Sequence, residues 1–166
     1  MLKIRQRIIG RGINQSKREV IFPVIESIAS AGIIVDGEPD TTLLTSGIKG
    51  NFNIGASMLN LVNGKRKDDT RENVIYQSDL NIWKLPPEKF LKPFIDEPFD
   101  LLINLADVNN DSVTYICAIS KAKFKISYQP NGTIFDLVIS LNEDNKMNIV
   151  NELFSVLKNL KPHTIN

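Results

Sequence analysis

The sequence predicts an α/β domain of three layers, Rossmann-like, with a mostly parallel sheet, an antiparallel hairpin at its edge and a basic N-terminal arm. Three observations carry that expectation. The runs Ala31–Asp36 (AGIIVD) and Phe99–Leu105 (FDLLINL) are continuously apolar, the pattern of strands covered on both faces. Helical periodicities fall between the strand candidates, and a strand–helix–strand alternation packs with right-handed crossovers on a parallel sheet. Near the C-terminus, Phe124–Tyr128 and Ile134–Leu141 flank Gln129–Gly132 (QPNG), whose turn chemistry predicts a hairpin.

In chain order, Leu2–Ile9 fits two periods, since Leu2, Ile4 and Ile8 alternate with Lys3, Arg5 and Arg7 while Ile4 and Ile8 also stand four apart; the reading taken is a short helix ended by Gly10 or Gly12. Pro23 excludes a continuous helix through residues 16–30. Ala31–Asp36 is the first strand, with Asp36 at its C-terminal end. Asp40, Thr41 and Thr42 offer an N-cap for a helix through Leu43 and Leu44 that Gly47 and Gly50 terminate. Ser57–Val62 is the next strand, closed by Asn63-Gly64. Lys65–Asn73 is a charged loop, and Val74–Trp83 holds at most a short strand, with Tyr76 and Trp83 pinning that stretch to the body.

A helix begins near Pro87 with Phe90, Leu91, Phe94 and Ile95 on one face, and Pro93 predicts a kink within it. After Phe99–Leu105, the loop Asp107–Ser112 supplies Asp111 or Ser112 as N-cap of a helix to about Lys121. In the strand that follows, Lys123 and Lys125 alternate with Phe124, Ile126 and Tyr128, which predicts one wet face. An amphipathic helix carrying Met147, Val150, Leu153, Phe154, Leu157 and Leu160 closes the chain. The organisation expected is an arm over residues 1–30, one α/β domain over 31–161 and a tail over 162–166.

Composition excludes several classes. With 166 residues there is room for about one domain. One cysteine and one histidine exclude a disulfide framework and a Cys/His zinc site, and leave a nucleophile–histidine triad only His163, the fourth residue from the C-terminal end of the sequence. Cys117, in mid-helix between Ile116 and Ala118, reads as a buried structural thiol. No stretch approaches the roughly 20 apolar residues that cross a bilayer, and Met1–Ile13 holds no apolar core of a signal peptide, so a cytoplasmic protein is expected.

The net charge of +1 conceals an asymmetry. Residues 1–20 carry six basic side chains (Lys3, Arg5, Arg7, Arg11, Lys17, Arg18) against Glu19, a net of +5, while the remaining 146 residues hold 14 basic and 18 acidic ones, a net of −4. Lys121, Lys123 and Lys125 form a second basic cluster, and Lys65, Arg66 and Lys67 a third. Such an arm is able to neutralise the phosphates of RNA or an RNA-rich assembly, to meet an acidic protein or membrane surface, or to be a solvated tail.

Two loops fall at strand C-terminal ends, where open α/β sheets bind ligands: Asp36, Glu38 and Asp40 after the first strand, and Asp107, Asn109, Asn110 and Asp111 after the FDLLINL strand. Both are acidic, which disfavours unaided phosphate binding but lets Asp36 and Asp107 share a divalent cation if their strands are neighbours. Neither G-x-G-x-x-G nor Walker A is present, and DVNNDS lacks the glycine and glutamate of an EF-hand. No metal site or cofactor is expected from these motifs.

Pro98–Leu105 (PFDLLINL), Ile119–Ile126 (ISKAKFKI) and Phe135–Ile139 (FDLVI), with Leu80–Leu85 (LNIWKL) as a further anchor, resemble a short bacterial α/β domain family of uncharacterised function with a basic N-terminal segment. That resemblance runs from Gly32 to the last helix and implies a fold without an activity. The same cadence is distantly similar to the N-terminal Rossmann-like half of lipopolysaccharide heptosyltransferases. Those enzymes bind the nucleotide sugar mainly through a second domain, so the resemblance implies at most a degenerate sugar-nucleotide transferase using a cation near Asp36 and Asp107. The leading expectation is a non-catalytic binding domain that works through its arm.

Overall fold

Six parallel strands form one sheet in the order β3-β2-β1-β4-β5-β6 among the residues that the computed structural model describes, 2–15, 18–37, 41–66, 71, 73–139 and 146–159. The strands are β1 (Ser30–Asp36), β2 (Gly55–Val62), β3 (Val74–Tyr76), β4 (Leu101–Asn104), β5 (Phe124–Ser127) and β6 (Leu137–Val138). The helices are α1 (Leu2–Gln15), α2 (Thr41–Phe52), α3 (Glu88–Ile95), α4 (Asp111–Ile119) and α5 (Lys146–Asn159). The chain builds outward from β1 through β2 to β3, crosses back to β4 beside β1, and continues to β5 and β6. This is the Rossmann strand order, and its direction reverses between β1 and β4.

The two apolar runs become the two central strands. Strand β1 pairs with both β2 (Ile33 opposite Met58) and β4 (Ile33 opposite Ile103). Its alternate residues enter opposite cores: Ile33 and Val35 pack with Leu44, Ile48, Val150 and Phe154 of α2 and α5, while Ile34 packs with Leu91, Phe94, Val113 and Ile116 of α3 and α4. Continuous hydrophobicity is thus the consequence of helices on both faces. At Gly32 a Cβ would lie 2.6 Å from the Phe99 ring and 3.1 Å from that of Phe94, so the glycine admits two phenyl rings against the strand.

Helix α1 runs through both glycines at which the sequence predicts its end. A Cβ at Gly12 would lie 2.8 Å from Ile119 Cγ2, so this residue lets α1 lie close on α4 instead of stopping the helix. Helix α3 likewise continues across Pro93, which sits in its last turn. The N-cap of α4 is Asn110, whose side chain accepts from Ser112 N at 2.9 Å, one residue before the expected Asp111.

Two expectations about the C-terminal strands are overturned. Strand β6 joins β5 in parallel, Ile126 opposite Leu137 and Ser127 opposite Val138, so there is no antiparallel edge hairpin here. Residues 128–136 return along the sheet edge because Ile134 is buried in the α3/α4 core. Asn131, in the expected hairpin turn, donates instead to Val108 O (3.2 Å) and Thr114 Oγ1 (2.8 Å). Asp136 then clamps the start of β6: its N donates to Lys125 O (2.8 Å) and its carboxylate accepts from Lys125 N (2.7 Å). Nor does β5 have a wet face. With β4 and β6 on either side and helices above and below, all four of its residues are buried, and Lys125 is 1% exposed.

Candidate functional site

The reversal between β1 and β4 opens a crevice of about 370 Å³ at the C-terminal ends of the strands, lined by Asp36, Asn63, Tyr76, Lys84, Asp107 and Asp111 among others. Gly37, at φ +82°, turns the chain out of β1 while its N donates to Leu61 O at 3.0 Å. That leaves Asp36 facing the loop after β4, where its Oδ2 accepts from Asp107 N at 2.9 Å. Asp107 Oδ1 in turn accepts from both Asn109 N and Asn109 Nδ2, each at 2.9 Å. Below the loop, buried Asn104 donates to Ala106 O (3.0 Å) and Ser127 Oγ (3.3 Å), holding β4 to β5 where the loop departs.

Asp36, Asp107, Asn109 and Asp111 therefore do line one crevice, whereas Glu38 and Asp40 lie outside the described residues. Among the described residues, no group of three or more His, Cys, Asp or Glu side chains is placed to hold a metal ion. A cation at Asp36 and Asp107 would draw on two carboxylates and complete its shell with water, as Mg²⁺ does. Lys84, Tyr76 and Gln77 also line the crevice without a signal in the sequence. Lys84 has a φ of +56°, and its carbonyl accepts from Ser112 Oγ at 3.0 Å.

The basic residues divide into displayed and engaged ones. Lys3, Arg7 and Arg11 are exposed and recur every four residues on α1, while Ile9 and Gly12 are buried on the opposite side of the helix. The Arg5 side chain and all of Lys17 lie outside the described residues. Arg18 donates to Lys123 O (2.6 Å) and pairs with the Asp136 carboxylate. Lys121 pairs with Asp96 and Lys123 with Asp100, both at 2.7 Å. A groove of about 800 Å³ lies beside α1, lined by Arg11, Arg18 and Lys121 together with Tyr115 of α4. In the third cluster, Arg66 donates to Val74 O (2.6 Å) and pairs with Asp79 at 2.9 Å.

Among the described members of these clusters, Lys125 is the one turned fully inward. Its Nζ donates to Cys117 O (2.6 Å) and Ala118 O (3.3 Å), the last-turn carbonyls of α4, where a cation opposes the helix dipole. Burial pushes its pKa down to about 8, and burial pushes the Cys117 thiol up to about 12. That thiol is a packing group, in keeping with its mid-helix position.

A family model matches residues 2–160, taking in α1 and α5 as well as the sheet between them. The chain belongs to DUF6913, a family of unknown function. No curated protein and no solved structure matches it. The DUF6913 match is in keeping with the resemblance to an uncharacterised domain family, and it covers both the crevice and the basic face of α1. No helix among the described residues is long and apolar enough to cross a membrane.

Proposed function

We propose that this protein is a cytoplasmic, non-catalytic RNA-binding domain whose contact element is the basic face of α1. The observation that carries this reading is the display of Lys3, Arg7 and Arg11 opposite the buried Ile9 and Gly12. Helical geometry spaces these cations about 6 Å apart along a docked helix, a row of point charges suited to a polyanion more than to a single anionic group. Arg18 and Lys121, at the neighbouring groove, are paired with Asp136 and Asp96, so the displayed charge is that of the helix itself. Binding of this kind neutralises phosphates and weakens steeply with salt.

The test is fluorescence anisotropy with a labelled single-stranded RNA over a salt series. Replacing Lys3, Arg7 and Arg11 together by Gln is expected to flatten the slope of log K against log salt by about 2, the value for three lost phosphate contacts on a single strand. An unchanged slope defeats the reading, and binding of poly-glutamate in preference to RNA replaces it with an acidic protein partner.

A second reading rests on the junction of Asp36 with the Asp107 loop at the switch point. It takes the crevice as the remnant of a sugar-nucleotide site using a divalent cation, as the resemblance to heptosyltransferases implies. Titration calorimetry with Mg²⁺ and nucleotide sugars decides it: heat that Asp36→Asn abolishes supports this reading, and no heat removes it.

A further inference from the structure

Among the described residues, no strand pairs with the outer side of the first half of β2. Strand β3 pairs with Asn60, Leu61 and Val62, and the Asn73 carbonyl accepts from Asn60 N at 2.9 Å. Leu61 O accepts from Gly37 N, so the odd-numbered backbone groups of β2 face β1 and the even-numbered ones face outward. The N–H and C=O groups of Ala56 and Met58 thus point to a side where no strand among the described residues pairs with them.

A cavity lies on each face of this edge. One, of about 550 Å³ on the α2 side, is lined by Thr42, Thr45, Asn60 and Arg71. The other, of about 370 Å³ on the α3 side, is lined by Pro93, Phe94, Glu97 and Phe99. Ala56, Ser57 and Asn73 line both. An added strand sends successive side chains to opposite faces, so two cavities straddling one edge are the receptacles such a strand needs.

Asn60 supplies the selectivity. It is 3% exposed, and its Oδ1 has no hydrogen-bond partner, a buried acceptor left without a donor. The same cavity is lined by Thr42, Thr45 and Ser57 beside Asn60. A primary carboxamide complements this site, its NH₂ donating to Asn60 Oδ1 and its C=O accepting from a hydroxyl of the threonines or serine that line the cavity. The α3-side cavity, where Phe94, Phe99 and Pro93 stand beside Glu97, offers an apolar wall to the adjacent side chain.

We propose that the outer edge of β2 binds an extended segment of a partner protein as an added strand, with Gln or Asn entering the α2-side cavity and an adjacent apolar residue the α3-side cavity. The test uses the full chain and a fluorescein-labelled peptide, Thr-Val-Gln-Leu-Thr-Val-Lys, alongside versions with Gln replaced by Leu and with single N-methylated amides. Binding is expected to weaken about tenfold when Gln becomes Leu. N-methylation is expected to weaken it similarly at alternate amides only, the ones turned toward β2.

Asn60→Leu, which removes a buried orphan acceptor and so preserves the fold, is expected to erase the preference for Gln. Ala56→Pro, with folding checked by urea denaturation, removes an outward N–H and is expected to weaken every peptide; should it unfold, the N-methyl series decides alone. Absence of binding, equal loss at every methylated amide, or a Gln preference that survives Asn60→Leu overturns the proposal. So does sedimentation showing that a second copy of the chain occupies this edge.

Discussion

Lys125 shows how one residue changes meaning between sequence and structure. In the pattern Lys123-Phe124-Lys125-Ile126 it reads as a solvent-facing cation, yet it is a buried cap on the last turn of α4. Burial lowers its pKa from 10.5 to about 8, so between those values the unfolded chain binds more protons than the folded one. Folding therefore carries a penalty that is complete below about pH 8 and is lifted as the pH rises toward 10.5. Urea denaturation of wild type and Lys125→Met should show the wild type gaining stability relative to the variant across that window.

Asp100 has the opposite sign. Partial burial raises its pKa, but the Lys123 ammonium at 2.7 Å and the N–H groups of Ala29 (2.9 Å) and Ser30 (3.1 Å) prevail and hold it below the usual 3.8. Its contribution is present above that value and is lost as the pH falls through the folded-state pKa. Asp100→Asn should cost about 1 kcal/mol near neutrality, discounted for the exposure of Lys123, and the gap to wild type should close in acid denaturation.

At the scale of elements, glycines do work that sequence rules assign to helix ends. Gly12 lies inside α1 and brings that helix down on Ile119, while Gly32 lets the Phe94 and Phe99 rings close over β1. A Cβ at Gly32 has rings and strand around it and little room to relax, so Gly32→Ala should cost about 1–3 kcal/mol by urea denaturation. The hairpin expectation failed for a similar reason. The QPNG turn is real as local chemistry, but Asn131 is held by α4 and Ile134 is drawn into the core, so residues 128–136 return the chain for a parallel strand. Local propensity sets where a chain bends, whereas burial and hydrogen bonding farther along set where it goes.

At the scale of the molecule, the basic N-terminal segment is both charge and structure. Ile9 is buried in α1, and burying such a side chain contributes about 1.5–3 kcal/mol. Deleting residues 1–19 should therefore lower the Tm by about 3–10 °C in calorimetry. Replacing Lys3, Arg7 and Arg11 by Gln should leave it nearly unchanged, because these side chains are exposed. RNA affinity that falls in the substitution variant is then attributable to charge, which the deletion alone would not establish.

The α/β class, the two buried central strands and the position of Asp36 at a strand end were legible in the amino-acid order, because a strand covered on both faces must be apolar at every position. The acidic residues of the crevice were legible as well. Their meeting was not, since it depends on β4 returning beside β1 after β3, a pairing between residues about 70 apart in the chain. Asn60 lies within the strand read at Ser57–Val62, with apolar residues on both sides of it. That its oxygen would be left without a donor is a property of the assembled sheet, in which β3 pairs with only three residues of β2.

The sequence by itself determined the layers, the central strands and the excess of positive charge near the N-terminus, since each follows from local composition and period. Only the tertiary structure decided which cations face water, how far β3 pairs along β2 and which loops share a crevice. Those properties belong to pairs of distant segments, and packing energy selects such pairs only once the whole core is assembled.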